Sequence, residues 1–216
     1  MRRGLFITGT DTGVGKTVTS AALLLRYRSA APLRYWKPVQ TGIEQDDDTR
    51  EVQRLTGCQA ADGLRLRHPV SPHLAARRSG VTIETGDLLR MLPAESGDAW
   101  IVEGAGGVLV PLNDRDLMID LMQALALPVV VVARSSLGTI NHTLLTLEAL
   151  RARSLPIAGV VISGPRNPDN REAIERYGRI AVIGELPPLS PLDAATLGPW
   201  AGEHLDPQGR LLESLR

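Results

Sequence analysis

The sequence has a single cysteine, Cys58, in 216 residues, which excludes an internal disulfide framework and a cysteine-rich zinc site. A lone thiol fits a reducing compartment. Aromatic side chains are scarce, three Trp, three Tyr and one Phe, too few for a surface on which successive bases stack. Charge of one sign is also missing. The 24 Lys and Arg are matched by 24 Asp and Glu, so no general electrostatic attraction to nucleic acid or membrane is expected, although a local basic patch stays open. No stretch approaches the roughly 18 apolar residues of a spanning helix, and the opening MRRGLFITGT has too short an apolar run for a secretory signal. The expectation is a soluble cytoplasmic protein. His68, His73, His142 and His204 show neither HExxH spacing nor a cysteine partner, so no transition-metal site is indicated. The absence of a GxSxG elbow leaves an α/β-hydrolase without its nucleophile.

What is present is a globular composition, 43% hydrophobic and 22% charged, which rules out wholesale disorder, collagen and a coiled-coil rod. The length suits one domain, 1–216, able to bury a substantial core. Apolar runs of strand length alternate with helical patterns. Strands are expected at 5–8, 33–39, 99–102, 128–133, 157–162 and 180–186, and helices at 16–30, 48–55, 116–126, 139–153 and 169–177. The later strands are continuous in Val and Ile, without polar alternation, as in strands covered on both faces. This predicts an α/β fold, a doubly wound and mostly parallel sheet with helices on both faces. The Pro-rich stretch 187–216 reads as a loop plus a short terminal helix.

The strongest motif is Gly9-Thr10-Asp11-Thr12-Gly13-Val14-Gly15-Lys16-Thr17, placed after the first strand and opening the first helix. Glycines let backbone N–H groups curl around phosphate oxygens, Lys16 reaches terminal phosphates, and the Thr17 hydroxyl suits Mg²⁺. The first glycine stands one residue early against the strict spacing, with Thr10 in its place. This marks a phosphate-loop NTPase type. A phosphate-bound magnesium also needs carboxylates. Glu103, after Trp100-Ile101-Val102 and before Gly104-Ala105-Gly106-Gly107, fits the end of a buried strand; a tight-turn glutamate is the plainer alternative. Asp46-Asp47-Asp48 offers a further ligand, though such runs are ordinarily solvated loops. Lys37 precedes Pro38-Val39-Gln40-Thr41-Gly42 at the carboxyl end of a strand, where ligands bind in open α/β sheets, yet lone lysines are mostly surface charges. Ser136-Leu137-Gly138-Thr139-Ile140-Asn141-His142 opens a helix whose free N–H groups suit an anion, or are capped by Ser136 or Thr139.

Taken together and in order, GTDTGVGKT, KPVQTG, the DDD loop, VEGAGGVLVPL and LGTINHT resemble the dethiobiotin synthetase family, over most of residues 1–160. The resemblance implies a seven-stranded, mostly parallel sheet and a homodimer. It also implies a reaction that uses Mg²⁺ and ATP to join carbon dioxide to the adjacent amines of 7,8-diaminononanoate, closing a ureido ring and releasing ADP and phosphate. Lys16 and Lys37 then correspond to the catalytic lysines, and Thr17, Asp48 and Glu103 to the magnesium ligands; the pattern DTREVQRL after the run selects Asp48. The nucleotide falls to Gly13, Val14, Gly15, Lys16, Thr17 and Val18, with Asp48, Glu103, Gly104, Ala105 and Gly106 beside the phosphates. The base falls to Ser163, Gly164, Pro187, Pro188 and Leu189. Thr12, Lys37 and Thr41 lie on substrate positions, and Thr139, Ile140 and Asn141 on the helix start where a partner subunit receives the distant carboxylate. Ser163 departs from the family's usual asparagine, which makes relaxed base choice the expectation. Two rivals share such loops. A partition or metal-insertion ATPase usually carries a second lysine where Asp11 stands, and a glutamine-dependent amide-forming relative has a glutaminase domain.

Overall fold

Strand β1 (Gly4–Gly9) is buried at every position, and its alternate residues feed two separate cores. Leu5 and Ile7 join one apolar cluster with Leu23, Val52, Ile101 and Leu197, while Phe6 joins the other with Trp36, Val102, Leu121 and Leu147. A strand covered on both faces has no use for polar alternation. The computed structural model describes residues 3–92 and 97–216.

After β1 come α1 (Lys16–Tyr27), β2 (Leu33–Trp36), β3 (Val39–Thr41), α2 (Asp48–Thr56), β4 (Ala60–Ala61) and β5 (Leu64–Leu66). Then follow α3 (Pro72–Arg78), α4 (Thr85–Met91), β6 (Ala99–Gly107), α5 (Met118–Leu125), β7 (Val129–Arg134) and α6 (Thr139–Ala152). The last elements are β8 (Ile157–Ser163), α7 (Pro168–Gly178), β9 (Val182–Leu186), α8 (Ala194–His204) and α9 (Leu212–Leu215). A seven-stranded sheet runs β4-β2-β6-β1-β7-β8-β9, with β3 and β5 forming a separate pair. Each pairing within both sheets is parallel. Helices α1, α2 and α8 pack on one face, α5, α6 and α7 on the other. From β1 the chain winds first toward β2 and later toward β7, so the carboxyl end of β1 is the switch point at which open α/β sheets bind ligands. Among the described residues no helix is long and apolar enough to cross a membrane.

Three expectations are corrected. The strand foreseen at 33–39 breaks after Trp36 and resumes at Val39 in the other sheet. Pro38 has no N–H to give a ladder, and Gly63 lies so close to the turn that a Cβ there would stand 1.9 Å from the Lys37 carbonyl oxygen. The strand foreseen to end at residue 102 runs to Gly107, because the small residues after Glu103 let it stay alongside β1, with Gly106 at a left-handed φ of 68° and Gly9 opposite Gly107 across a register shift. Glu103 is therefore inside β6 rather than at its end. Finally, 187–216 contains the eleven-residue α8 before the short terminal helix. Gly198, Pro199 and Gly202 blur its periodicity, but Asp193 caps it by accepting from the Thr196 N–H at 2.9 Å.

Candidate active site

Residues 9–17 carry the chain from β1 into α1. Gly13 and Gly15 take left-handed φ of 69° and 96°, conformations that cost glycine little, and Gly15 serves as N-cap with no side chain among the described residues capping the first turn. The free N–H groups of α1 are thus left for an anion. The early glycine has a local reason: a Cβ on Gly9 would stand 2.7 Å from Val14 Cγ2 and 3.0 Å from Lys16 Nζ. Lys16 Nζ donates to the Asp11 carbonyl at 2.8 Å. Burial, and then the neighbouring charge of Lys37, pull the Lys16 ammonium down to about 8.

Beside this loop the cluster expected from sequence assembles. The Thr17 hydroxyl lies 2.8 Å from Asp48 Oδ1 and 3.1 Å from Glu103 Oε1. Lys37 Nζ lies 2.5 Å from Asp48 Oδ2 and 2.7 Å from Glu103 Oε1, and donates to the Gly104 carbonyl at 3.3 Å. Glu103 is completely buried. A carboxylate tolerates that only with its oxygens satisfied, and here Ser20 and Tyr35 hydroxyls each donate to Oε2 at 2.9 Å. Burial alone disfavours the Lys37 ammonium, but Glu103 and Asp48 outweigh it and the net shift is upward. Burial likewise works against the Asp48 anion, and the Lys37 charge and hydrogen bond overcome it to lower that carboxyl. Burial first, then Glu103, raise the Tyr35 phenol well above its ordinary value, so it stays a donor.

The acidic run divides its labour. Asp47 caps α2 by accepting from the Arg50 N–H at 3.1 Å and pairs with Arg65, Asp46 is exposed, and only Asp48 reaches Thr17 and Lys37. Ser20 and Tyr35 were not singled out from sequence. The available signal was spacing: Ser20 follows Thr17 by one helical turn, and Tyr35 precedes Lys37 by two residues along the β2 direction.

The remaining positions spread around this cluster. Val14 is buried and Val18 half-buried. Ala105 is half-buried, and a Cβ on Gly106 would stand 3.7 Å from Thr12 Oγ1, so the end of β6 flanks the loop. Ser163 ends β8 with its hydroxyl 2.6 Å from where a Gly15 Cβ would lie, and Gly164 backs onto Ser135. Pro187, Pro188 and Leu189 follow β9, next to Ser163 through the Ser163–Leu186 pairing. Thr41 is half-buried at the end of β3. Thr139, Ile140 and Asn141 form the first turn of α6, where Gly138 is the N-cap and neither Ser136 nor Thr139 supplies a cap; they stand apart from the lysine and carboxylate cluster. A cavity of about 420 Å³ adjoins the loop, lined by Asp11, Thr12, Val108, Leu109, His142 and Leu145 among others.

One hydroxyl and two carboxylates converge, with an ammonium between the acids. Such hard oxygen donors suit a small divalent cation completed by water and phosphate oxygens. Among the described residues no cluster of three or more acids, histidines or cysteines is found.

A loop of this kind at the switch point of a parallel sheet defines a phosphate-loop NTPase, and a family model described as an AAA domain matches residues 3–196. Solved structures agree on the fold alone. A ParA family ATPase from Chlorobium tepidum TLS superposes with a TM-score of 0.56 at 12% identity, covering 93% of this chain and 99% of that one. The signal recognition particle 54 kDa protein from Aeropyrum pernix K1, solved with GDP, also gives 0.56, at 19% identity over 98% of this chain and 46% of that one. Curated relatives are much nearer in sequence. The ATP-dependent dethiobiotin synthetase of Paramagnetospirillum magneticum is 50% identical over 90% of this chain and 93% of its own length. That of Agrobacterium fabrum is 44% identical over 93% of both. The biotin biosynthesis bifunctional protein of Bordetella avium is 47% identical over 92% of this chain and 42% of its own length. The chain belongs to the ATP-dependent dethiobiotin synthetase family. It is accordingly an ATP-dependent cyclo-ligase.

Proposed function

We propose that this chain, with 1–216 acting as one domain in the cytoplasm, converts 7,8-diaminononanoate, carbon dioxide and ATP to dethiobiotin, ADP and phosphate. One amine takes up carbon dioxide, losing a proton, to give a carbamate. A carbamate oxygen attacks the γ-phosphorus and ADP leaves, giving a carbamic-phosphoric anhydride. The second amine attacks the carbamoyl carbon, phosphate leaves with loss of a proton, and the ureido ring closes. Negative charge develops in each step, so positioning and electrostatic stabilisation dominate over covalent work by the protein.

Lys16 holds the β and γ phosphates above the N–H groups of Gly13, Val14, Gly15, Thr17 and Val18. Lys37 neutralises the carbamate and the transferring phosphoryl group. Magnesium would be held by Thr17, Asp48 and Glu103 and would supply charge neutralisation at the phosphates when bound. Gly104, Ala105 and Gly106 lie beside the phosphates, their backbone brought close because Gly104 and Gly106 leave room for Phe6 and Val110. Ser163, Gly164, Pro187, Pro188 and Leu189 flank the base. The amine end of the substrate lies by Thr12 and Thr41, and its aliphatic chain in the cavity beside Leu109 and Leu145. Its distant carboxylate meets the uncapped helix start at Thr139, Ile140 and Asn141 of a second copy in a homodimer. The exposed Leu109, Leu137 and Leu145 support that assembly.

The observation that carries this reading is the meeting of Thr17, Lys37, Asp48 and Glu103 from α1, the β2–β3 turn, α2 and β6 within 3.1 Å contacts. The test is ADP release, with dethiobiotin identified by mass. Release should require both diaminononanoate and bicarbonate. Equal release with either omitted, or no dethiobiotin, overturns the reading.

A further inference from the structure

The phosphate loop contains a carboxylate for which the reaction above has no role. Asp11 lies in a segment whose other polar groups, free N–H groups and Lys16, attract anions, so its charge works against a triphosphate. The structure offsets that charge from outside the loop. Arg134, the last residue of β7, places Nη2 at 2.6 Å from Asp11 Oδ2. Asp11 Oδ1 accepts from the Thr12 N–H at 2.7 Å, and its carbonyl accepts from Lys16 at 2.8 Å. The acid is thus fixed at three points, two of them to residues that serve the ligands.

The pair adds little to fold stability, because its side chains are 54% and 39% exposed and exposed ion pairs contribute little. The Arg134 Nε is nonetheless buried with no partner among the described residues, which folded proteins rarely accept. Asp11 also lines the 420 Å³ cavity, and among the lining residues it alone carries a full charge, His142 apart. The lining also includes the apolar Val108, Leu109, Val110, Leu145 and Ala149, with Thr10, Thr12, His142 and Thr146 as its other polar members. An acid in the wall of a largely apolar chamber complements a hydrocarbon chain bearing an ammonium group.

We propose that Asp11 is a specificity-determining residue that receives a substrate ammonium, and that Arg134 is its positioning residue. Arg134 aims the carboxylate at the cavity and balances its charge against the triphosphate. The amine held by Asp11 is the one that stays cationic while the other takes up carbon dioxide, since a carbamate there would set two anions together; it gives one proton to solvent before it attacks the carbamoyl carbon and a second as the ring closes. The inference rests on the diamine reading given above and names the group that recognises the amine.

The test is calorimetric binding of 7,8-diaminononanoate, of nonanoate as its amine-free counterpart, and of a non-hydrolysable ATP analogue. Asp11→Asn should weaken the diamine by roughly tenfold or more, the loss of a charge-assisted hydrogen bond, while nonanoate stays within twofold and the nucleotide binds as well or better. Arg134→Gln should weaken the nucleotide, Arg134→Lys should restore it in part, and adding Asp11→Asn to Arg134→Gln should restore it as well. Should Asp11→Asn not fold by circular dichroism, Asp11→Ser takes its place. Diamine binding within twofold of wild type in the Asp11 variant, or equal losses of diamine and nonanoate, overturns the inference. A wild-type protein that does not bind the diamine overturns the substrate reading itself, and the two failures are thereby distinguished.

Discussion

Lys37 is the residue most committed to this site, buried between Asp48 and Glu103. Its removal leaves two carboxylates facing each other, so Lys37→Ala should cost both turnover and some stability. Lys16→Ala removes a cation whose one hydrogen bond among the described residues is to the Asp11 carbonyl, and it should spare the fold. Each should lower kcat by roughly a hundred- to a thousandfold, the usual effect of deleting one preorganised electrostatic contact, with circular dichroism and calorimetric melting read in parallel. Near-normal turnover in Lys37→Ala would remove it from the mechanism. A second expectation concerns Ser163, whose hydroxyl turns toward Gly15 and cannot give a base the paired donor and acceptor of an asparagine amide. Such a bidentate contact is worth roughly 1 to 3 kcal/mol. The ratio of kcat/KM for ATP over CTP should therefore stay below about a hundredfold, and Ser163→Asn should raise it. A ratio beyond about a thousandfold in the unmodified chain assigns base choice to other groups.

At the level of elements, the strand-to-strand passage around Lys37 has a dependence on Gly63, where a Cβ would lie 1.9 Å from the Lys37 carbonyl oxygen. Backbone cannot yield as a flexible side chain does, so Gly63→Ala should destabilise by about 1 to 3 kcal/mol. It should also lower kcat by moving Lys37, whereas Gly57→Ala, with no atom of the described residues within 4 Å of its Cβ position, should carry only the strain of its φ of 68°. Denaturant midpoints beside kcat for the two variants check this. The same passage marks the limit of the sequence pattern. Runs such as VVVV and the loop GTDTGVGKT were legible because continuous apolar character and glycine placement report directly on a doubly covered strand and a phosphate cradle. The break after Trp36 was not, since it depends on a glycine 27 positions later reaching the turn from the connection between β4 and β5. The extension of β6 through its glycines depends in the same way on β1. Ser20 and Tyr35 escaped notice because their role exists only once α1 and β2 close over Glu103.

For the whole molecule, Leu137 is fully exposed at the start of α6, with Leu109 and Leu145 each 57% exposed. If these side chains meet a second copy, Leu137→Asp should shift the protein from dimer to monomer in sedimentation velocity. Turnover should fall by about tenfold or more, as for loss of an interface anchor, while nucleotide affinity, built within one chain, stays close to normal. A second measure is complementation: mixing inactive Lys16→Ala and Asn141→Ala chains should return activity in hybrid dimers. An active monomer, or no recovery after proven subunit exchange, contradicts a shared site.

The two carboxylates that grip Lys37 differ in what carries them. Glu103 belongs to a strand paired on both sides, its backbone beside Ile7 of β1 and its neighbour Val102 beside Trp36 of β2. Asp48 rides on the first residue of α2, at the end of an irregular segment 42–47. Any widening of the gap between them is therefore one-sided, with the sheet as the fixed wall and the helix end as the wall that gives. Adaptation to different occupants, before and after phosphoryl transfer, would fall to segment 42–47 and the helix start it carries, which Asp47 ties to Arg50 and Arg65. Selection for faster product release would act on that short connection and leave the strands as they are.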